Sequence, residues 1–284
     1  VALYGLYGQA EIAPLQHFAD GLERLGHTVR WRNHNGWSGE TEPFDAIVTY
    51  GARAQAQDLI RHYEAKNVPT VVIDHGYLKR VFVREDYGHG YFQIGMGRIG
   101  WVPTEAPSFD RLDALEISIA ERPAPRPIKH ALILGQVAFD AQHNKSGPDL
   151  QAMYERLAAE LVAAGVKVRY RGHPMGRDVQ PRGIPDDGVR SLADAIADAD
   201  VVAALNSNAG LDAILAGCPA IVLMRSHYNE LAYRWPTLLA LIKPPPPARV
   251  RSYLKRLAYA QWTAAEMRDG LPQQFLASLG AVPA

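Results

Sequence analysis

Two short segments in the second half of the chain bring together residue types that handle anions. Arg171-Gly172-His173-Pro174 closes one apolar, strand-like run. Asn206-Ser207-Asn208-Ala209-Gly210-Leu211-Asp212 follows another and opens a helix-like stretch. In open α/β sheets ligands sit beyond the C-terminal ends of the strands, so both segments stand where a ligand would lie. The His173 imidazole can donate to a phosphate oxygen, Arg171 can add charge beside it, and Pro174 fixes the backbone that follows. In the second segment, small polar residues leave the first N–H groups of a helix open to an anion. Ser207 or Asn208 can cap that helix or bond a phosphate. Gly210 permits close approach, and Asp212, one turn on, can accept from a ribose hydroxyl. Each feature also has a structural alternative: His-Pro as a turn, and Ser207 and Asn208 as N-caps alone.

The elements that must position these residues repeat a strand–helix alternation, the mark of helices packed around a parallel sheet. In the first half, strands are predicted at 1–6, 28–32, 44–50 and 70–74, with helices at 12–25 and 52–65. Residues 75–101, rich in Gly and aromatics and without a period, read as long loops. Pro123–Pro127 (PAPRP) reads as a stiff linker. Beyond it, strands are predicted at 130–134, 166–170, 201–205 and 220–224 and helices at 149–164, 191–199 and 208–216. Two more helices, 249–259 and 263–269, follow the proline run 243–247. The expected fold class is therefore α/β: two Rossmann-like domains, residues 1–125 and 126–245, with C-terminal helices over 246–284. That tail is expected to pack back towards the first domain.

Composition narrows the classes. The 284 residues are enough for two domains, and 48% hydrophobic with 21% charged residues excludes a disordered chain. Lys+Arg and Asp+Glu are equal at 30 each, so no basic excess marks a nucleic-acid binder. A single cysteine, Cys218, excludes an internal disulfide and a zinc–thiolate cluster; beside Pro219 and entering a buried strand, it reads as packing. The ten histidines show no metal-site spacing and Gly95–Gly100 (GMGRIG) lacks the Lys-Ser/Thr of a P-loop, so no required metal and no phosphate-transferring NTPase are expected. With no signal-peptide pattern and no long apolar run, the expectation is a soluble, cytoplasmic protein.

Taken in order, the strand ending in His173-Pro174, then Ala199-Asp200-Val201-Val202, then Asn206 to Ile221 (NSNAGLDAILAGCPAI) resemble the donor half of GT-B glycosyltransferases. The pattern is similar to capsule polysaccharide glycosyltransferases, bacterial sialyl- and Kdo-transferases and CDP-glycerol glycerophosphotransferases. The resemblance covers about the last half of the chain, in pattern more than identity. It implies that His173 and Ser207, with Pro174 and Asn208, meet the donor phosphate, with Asp212 more loosely placed. It implies a nucleotide-sugar donor, CMP- or CDP-linked by its His-Pro element, with a UDP-sugar open. Gly135, Gln136 and Ser191 are counted with the donor-binding residues. It further implies a metal-independent, inverting transfer to a hydroxyl, with a base from the first domain that takes the acceptor's proton. Asp74-His75-Gly76 follows a buried strand; Asp74 can be that base or can orient His75, and Glu11 in the loop after the first strand is its rival. A turn-forming Asp before Gly is the structural alternative for Asp74.

The acceptor is the least constrained part. A glycan is expected first. Phage enzymes that glycosylate modified bases in DNA share the GT-B fold, which keeps a DNA acceptor open. Basic residues of the tail (Lys243, Arg249, Arg251, Lys255, Arg256) suit a polyanion. So does the basic and aromatic mix of the first half (Lys79, Arg80, Arg84 and Arg98 with Tyr77, Phe82, Tyr87, Tyr91, Phe92 and Trp101). Two other readings stay in play: a nucleotide-sugar epimerase or glycerophosphate transferase on the same fold, and a non-enzymatic two-lobed ligand-binding protein.

Overall fold

The computed structural model describes residues 1–5, 12–53, 55–79, 90–122, 127–140, 142–143, 145–174, 179–188, 190–280 and 282. In chain order the first elements are β1 (Ala2–Gly5), α1 (Ile12–Arg24), β2 (Arg30–Asn33), β3 (Ile47–Tyr50), α2 (Gln55–Glu64), β4 (Thr70–His75), β5 (Tyr91–Met96) and α3 (Asp110–Ala114). Then come β6 (His130–Leu134), α4 (Gly147–Ala163), β7 (Lys167–Arg171), α5 (Leu192–Ala197), β8 (Val201–Ala204), α6 (Ala209–Leu215), β9 (Ala220–Val222), β10 (Tyr233–Arg234) and α7 (Pro247–Ala258). β11 (Gln261–Thr263), α8 (Ala264–Arg268) and α9 (Leu271–Ser278) complete the chain.

These elements form two compact units, Val1–Leu115 with Lys255–Ala284, and Glu116–Leu254. The division falls before the proline segment because the chain is already committed to the second unit there. Ala120 N–H donates to the Leu215 carbonyl at 2.7 Å, and the Arg122 guanidinium holds the Ala199 and Ile196 carbonyls. At the other end the division cuts through α7, and the residues that follow add a strand to the first sheet.

The first unit holds a six-stranded sheet in the order β11-β5-β4-β3-β1-β2. β2, β1, β3 and β4 run parallel, while β5 and β11 extend the sheet antiparallel. Successive residues take opposite faces, as strand geometry requires. Leu3, Val48, Val71 and Ile73 pack with Leu15 and Phe18 of α1 and with Trp262, Met267 and Phe275 from the chain's end. Ala2, Tyr4 and Ile47 turn the other way, onto Leu59 and Tyr63 of α2. The expectation of loops throughout 75–101 is corrected by β5. Phe92, Gln93, Ile94 and Gly95 are all buried, so the strand shows no alternation to find. Gln93, the one polar residue of the strand, is tied to backbone, donating to His75 O at 2.8 Å and accepting from Gly100 N–H at 2.9 Å.

The second unit holds a five-stranded parallel sheet in the order β10-β9-β8-β6-β7. Apart from the exposed His130 that opens β6, its central strands are apolar, as strands covered on both faces must be. Ala131, Ile133, Val201, Ala203 and Tyr170 pack with Leu150, Tyr154, Leu157 and Leu161 of α4. Leu132, Leu134, Val202 and Ala204 face Ala195 and Ile196 of α5 and Ala213 of α6. Ser146 starts α4 with a reciprocal capping box to Asp149. Each unit is Rossmann-like, as expected from the strand–helix alternation.

Candidate functional site

The second sheet reverses its direction of growth at β6, which has β7 on one side and β8 on the other. A crevice at such a reversal, outside the C-terminal ends of the strands, is the preferred ligand position in this class of sheet. Gly135 and Gln136 leave β6 there, and Asn206 follows β8. Gly135 N–H donates to Arg171 O at 2.8 Å, and Asn206 N–H approaches Gln136 Oε1 at 3.4 Å. Three of the expected loops thus converge. Gln136 is 5% exposed and Asn206 1%. Neither Nδ2 nor Oδ1 of Asn206 has a hydrogen-bond partner among the described residues. Leaving such groups unmade costs about 1–3 kcal/mol each, and an unsatisfied buried amide calls for a reason such as a ligand or trapped water.

Next to Asn206, Ser207 Oγ accepts from the Ala209 N–H at 3.3 Å. Asn208 occupies the N-cap of α6 with helical φ −55° and ψ −25° and makes no side-chain cap bond. Its Oδ1 instead meets His227 Nε2 at 2.6 Å. Only seven residues long, α6 carries little of a helix macrodipole. The Ala209, Gly210 and Leu211 N–H groups are already bonded to Ser207 and Asn208, so the donors left at this junction are side chains. Gly210 needs a different explanation from the one its sequence position suggested. A Cβ there would lie 2.0 Å from the Tyr228 hydroxyl, so the space is occupied by Tyr228 rather than kept for a ligand. That hydroxyl donates to Ser207 O at 2.7 Å. Asp212 is half-buried in the first turn of α6. His227, Tyr228 and Tyr253 are absent from the sequence-based set, since nothing local in Arg225–Asn229 or in α7 marks them.

At the end of β7, His173 is half-buried and Pro174 exposed; residues 175–178 lie outside the described set. Arg171 is engaged structurally: its guanidinium donates to the Arg190 carbonyl and lies 4.0 Å from Asp187. The Asp187 side chain, 1% exposed, also pairs with Arg169 and lies 3.8 Å from Arg190. Ser191 is the N-cap of α5, accepting from Asp194 N–H at 3.1 Å and donating to the Asp194 carboxylate at 2.6 Å. His173 is thus carried on a loop braced by an arginine–aspartate cluster.

In the first unit, Asp74 and His75 are paired strand residues of β4, opposite Gln93 and Phe92, which removes the reading of Asp74 as a turn former. Asp74 Oδ1 accepts the His75 backbone N–H at 2.7 Å, and the His75 ring stands edge-on to Tyr50, centroids 6.3 Å apart. Neighbouring strand residues point to opposite faces. Gly76 is required by close approach, since a Cβ would come within 2.5 Å of Tyr91 O. Glu11, the rival base, lies outside the described residues, as do Arg80, Phe82, Arg84 and Tyr87.

Cys218 is fully buried. Burial pushes its thiol up to about 11, which suits packing and not attack. Among the described residues no group of three His, Cys, Asp or Glu side chains is arranged to hold a metal. Asp198 and Asp200 have Asp-x-Asp spacing, but they lie before β8, at the N-terminal edge of the second sheet, and are otherwise employed. Asp198 pairs with Arg190 at 2.6 Å, and Asp200 accepts the Lys129 and His130 N–H groups at 3.0 and 2.9 Å. A cavity of about 240 Å³ in the first unit is lined by Val1, His27 and Asp45 at the opposite, N-terminal strand edge and contains none of the expected residues. No helix among the described residues is long and apolar enough to cross a membrane.

No family model matches the sequence, and no curated protein matches it. Among solved structures, the chain is similar to two of KpsC from Thermosulfurimonas dismutans. With the beta Kdo 2,4 transferase it shares 12% identity at a TM-score of 0.55, covering 92% of each chain. With the beta Kdo 2,7 transferase it shares 16% identity at a TM-score of 0.54, covering 96% of this chain and 99% of that one. The chain thus has the two-unit, Rossmann-like GT-B fold of these proteins.

Proposed function

We propose that this chain is a glycosyltransferase that moves a sugar from a nucleotide-sugar to a hydroxyl of a glycan acceptor. The observation that carries the reading is the unpartnered Asn206 carboxamide beside Gln136 at the strand-order reversal of the second sheet. The shared fold of two Kdo transferases supports it, and the His-Pro element favours a CMP- or CDP-linked donor over a UDP-sugar. In this reading the acceptor oxygen attacks the anomeric carbon as the bond from that carbon to the phosphate oxygen breaks, with inversion. The acceptor proton passes to a base of the first unit, Asp74, His75 or Glu11. Negative charge collecting on the leaving nucleoside phosphate is met by the His173 imidazole, the Ser207 hydroxyl and the Asn208 amide, without a metal. Such donors act most where charge develops. A DNA acceptor rests on the basic and aromatic residues of the sequence alone.

A thermal-shift screen against CMP, CDP, UDP, GDP and their sugars tests the reading. A bound donor product at about 100 times its Kd stabilises the fold by about 2.7 kcal/mol, so the expected result is a raised Tm with one nucleotide base. No shift with any of them contradicts the proposal.

A further inference from the structure

The turn that carries Asn208 is held from outside by the segment following β9. His227 bridges two elements, with Nε2 2.6 Å from Asn208 Oδ1 and Nδ1 2.6 Å from the Tyr253 hydroxyl of α7. Tyr253 is buried and its ring stacks at 27° to the imidazole. On the neighbouring residue the Tyr228 hydroxyl grips Ser207 O, and its ring stands edge-on to His227 at 4.9 Å. Ser226 closes the segment by donating from N and Oγ to Asn229 Oδ1 at 2.9 and 3.1 Å.

The polarity of this chain of bonds follows from its ends. A carboxamide oxygen only accepts, so His227 Nε2 carries a hydrogen and donates it to Asn208. In the neutral ring Nδ1 is then the acceptor, and the Tyr253 hydroxyl donates to it. Asn208 has left the capping role that this residue type favours, and no bond from its Nδ2 is seen among the described residues. Its two N–H donors are therefore held in one orientation at the β8–α6 junction.

We infer that His227 is a positioning residue. Braced by Tyr253, it fixes the Asn208 carboxamide so that Nδ2 donates to a phosphate oxygen of the nucleotide. The inference rests on the proposed function and adds to it a recognition device outside the motif that carries the family resemblance. Fixing a rotamer in advance removes an ordering cost that binding would otherwise bear.

The test is a titration of CMP and cytidine, with UDP and uridine in parallel, into the wild type, His227→Ala, Asn208→Ala, the double variant and Tyr253→Phe. A lost hydrogen bond to a charged group predicts that His227→Ala weakens the nucleotide about tenfold while the nucleoside changes less than about twofold. In the Asn208→Ala background the same change adds no further loss, because the two residues act as one unit. Tyr253→Phe keeps the ring, removes the hydroxyl that donates to Nδ1, and shows a smaller loss of the same selectivity; it carries the test if His227→Ala does not fold. Equal losses for nucleotide and nucleoside, additive losses, or an unchanged ratio in the variants overturn the inference while the proposed function stands. A wild type that binds no nucleotide defeats the proposed function itself.

Discussion

A buried carboxamide with no partner makes Asn206 the most informative single residue in the molecule. Its retention costs the free protein about 1–3 kcal/mol relative to a satisfied site, and sites that trade stability in this way are characteristically functional. Asn206→Leu, close in volume and apolar, is therefore expected to leave Tm unchanged or raise it while nucleotide affinity falls about tenfold or more. Melting curves and titration on the same sample check both halves, and a lowered Tm with intact binding contradicts the role. Sequence composition at the strand end was enough to single out Asn206, Ser207 and Asn208. The partner set was not legible, since His227 and Tyr253 lie 19 and 45 positions beyond Asn208 in a chain without local signal. Gly210 was legible as a position that needs glycine, but the reason, the Tyr228 hydroxyl, exists only in the packed unit.

At the scale of elements, strands buried on both faces and helices with a clear apolar stripe could be read directly; β6 falls on its expected range and β7 and β8 within a residue of theirs. What could not be read was β5, whose continuous burial breaks alternation, and β11, three residues recruited from the chain's end to pair antiparallel with it. The β11–α8 corner rests on a half-buried ion pair. Arg111 donates to the Glu266 carboxylate and to Gln261 O, and its guanidinium lies 3.6 Å from the Trp262 ring centroid. Burial would raise the Glu266 carboxyl, but Arg111 and the Thr263 N–H outweigh it and hold it below its usual 4.5. A depressed acid stabilises the fold above its unfolded pKa and loses that contribution as pH falls through the folded one. The Tm gap between wild type and Glu266→Gln is thus expected to be largest near neutrality, from a loss of about 1–3 kcal/mol, and to shrink below about pH 4.5. A gap that stays constant into strong acid contradicts this.

Across the whole molecule, the return of the C-terminal segment to the first unit makes the chain's end part of that unit's core. Trp262, Met267 and Phe275 are all buried against α1, so a chain ending after Ala260 loses several core side chains worth about 1.5–3 kcal/mol each. It is expected to lose the cooperative melt of the first unit, followed by circular dichroism; an unchanged melt contradicts that dependence. The two-unit architecture was legible because the strand–helix alternation restarts after the proline segment. The division itself was not, since Ala120 and Arg122 bond into the second unit ahead of it. The central claim, that the second unit holds the nucleotide at its strand-order reversal, is tested most directly by amide hydrogen exchange with and without saturating CMP or UDP. Slowed exchange is expected in the peptides covering Gly135–Val137 and Leu205–Asp212; no protection there at saturation, or protection confined to the first unit, contradicts the claim.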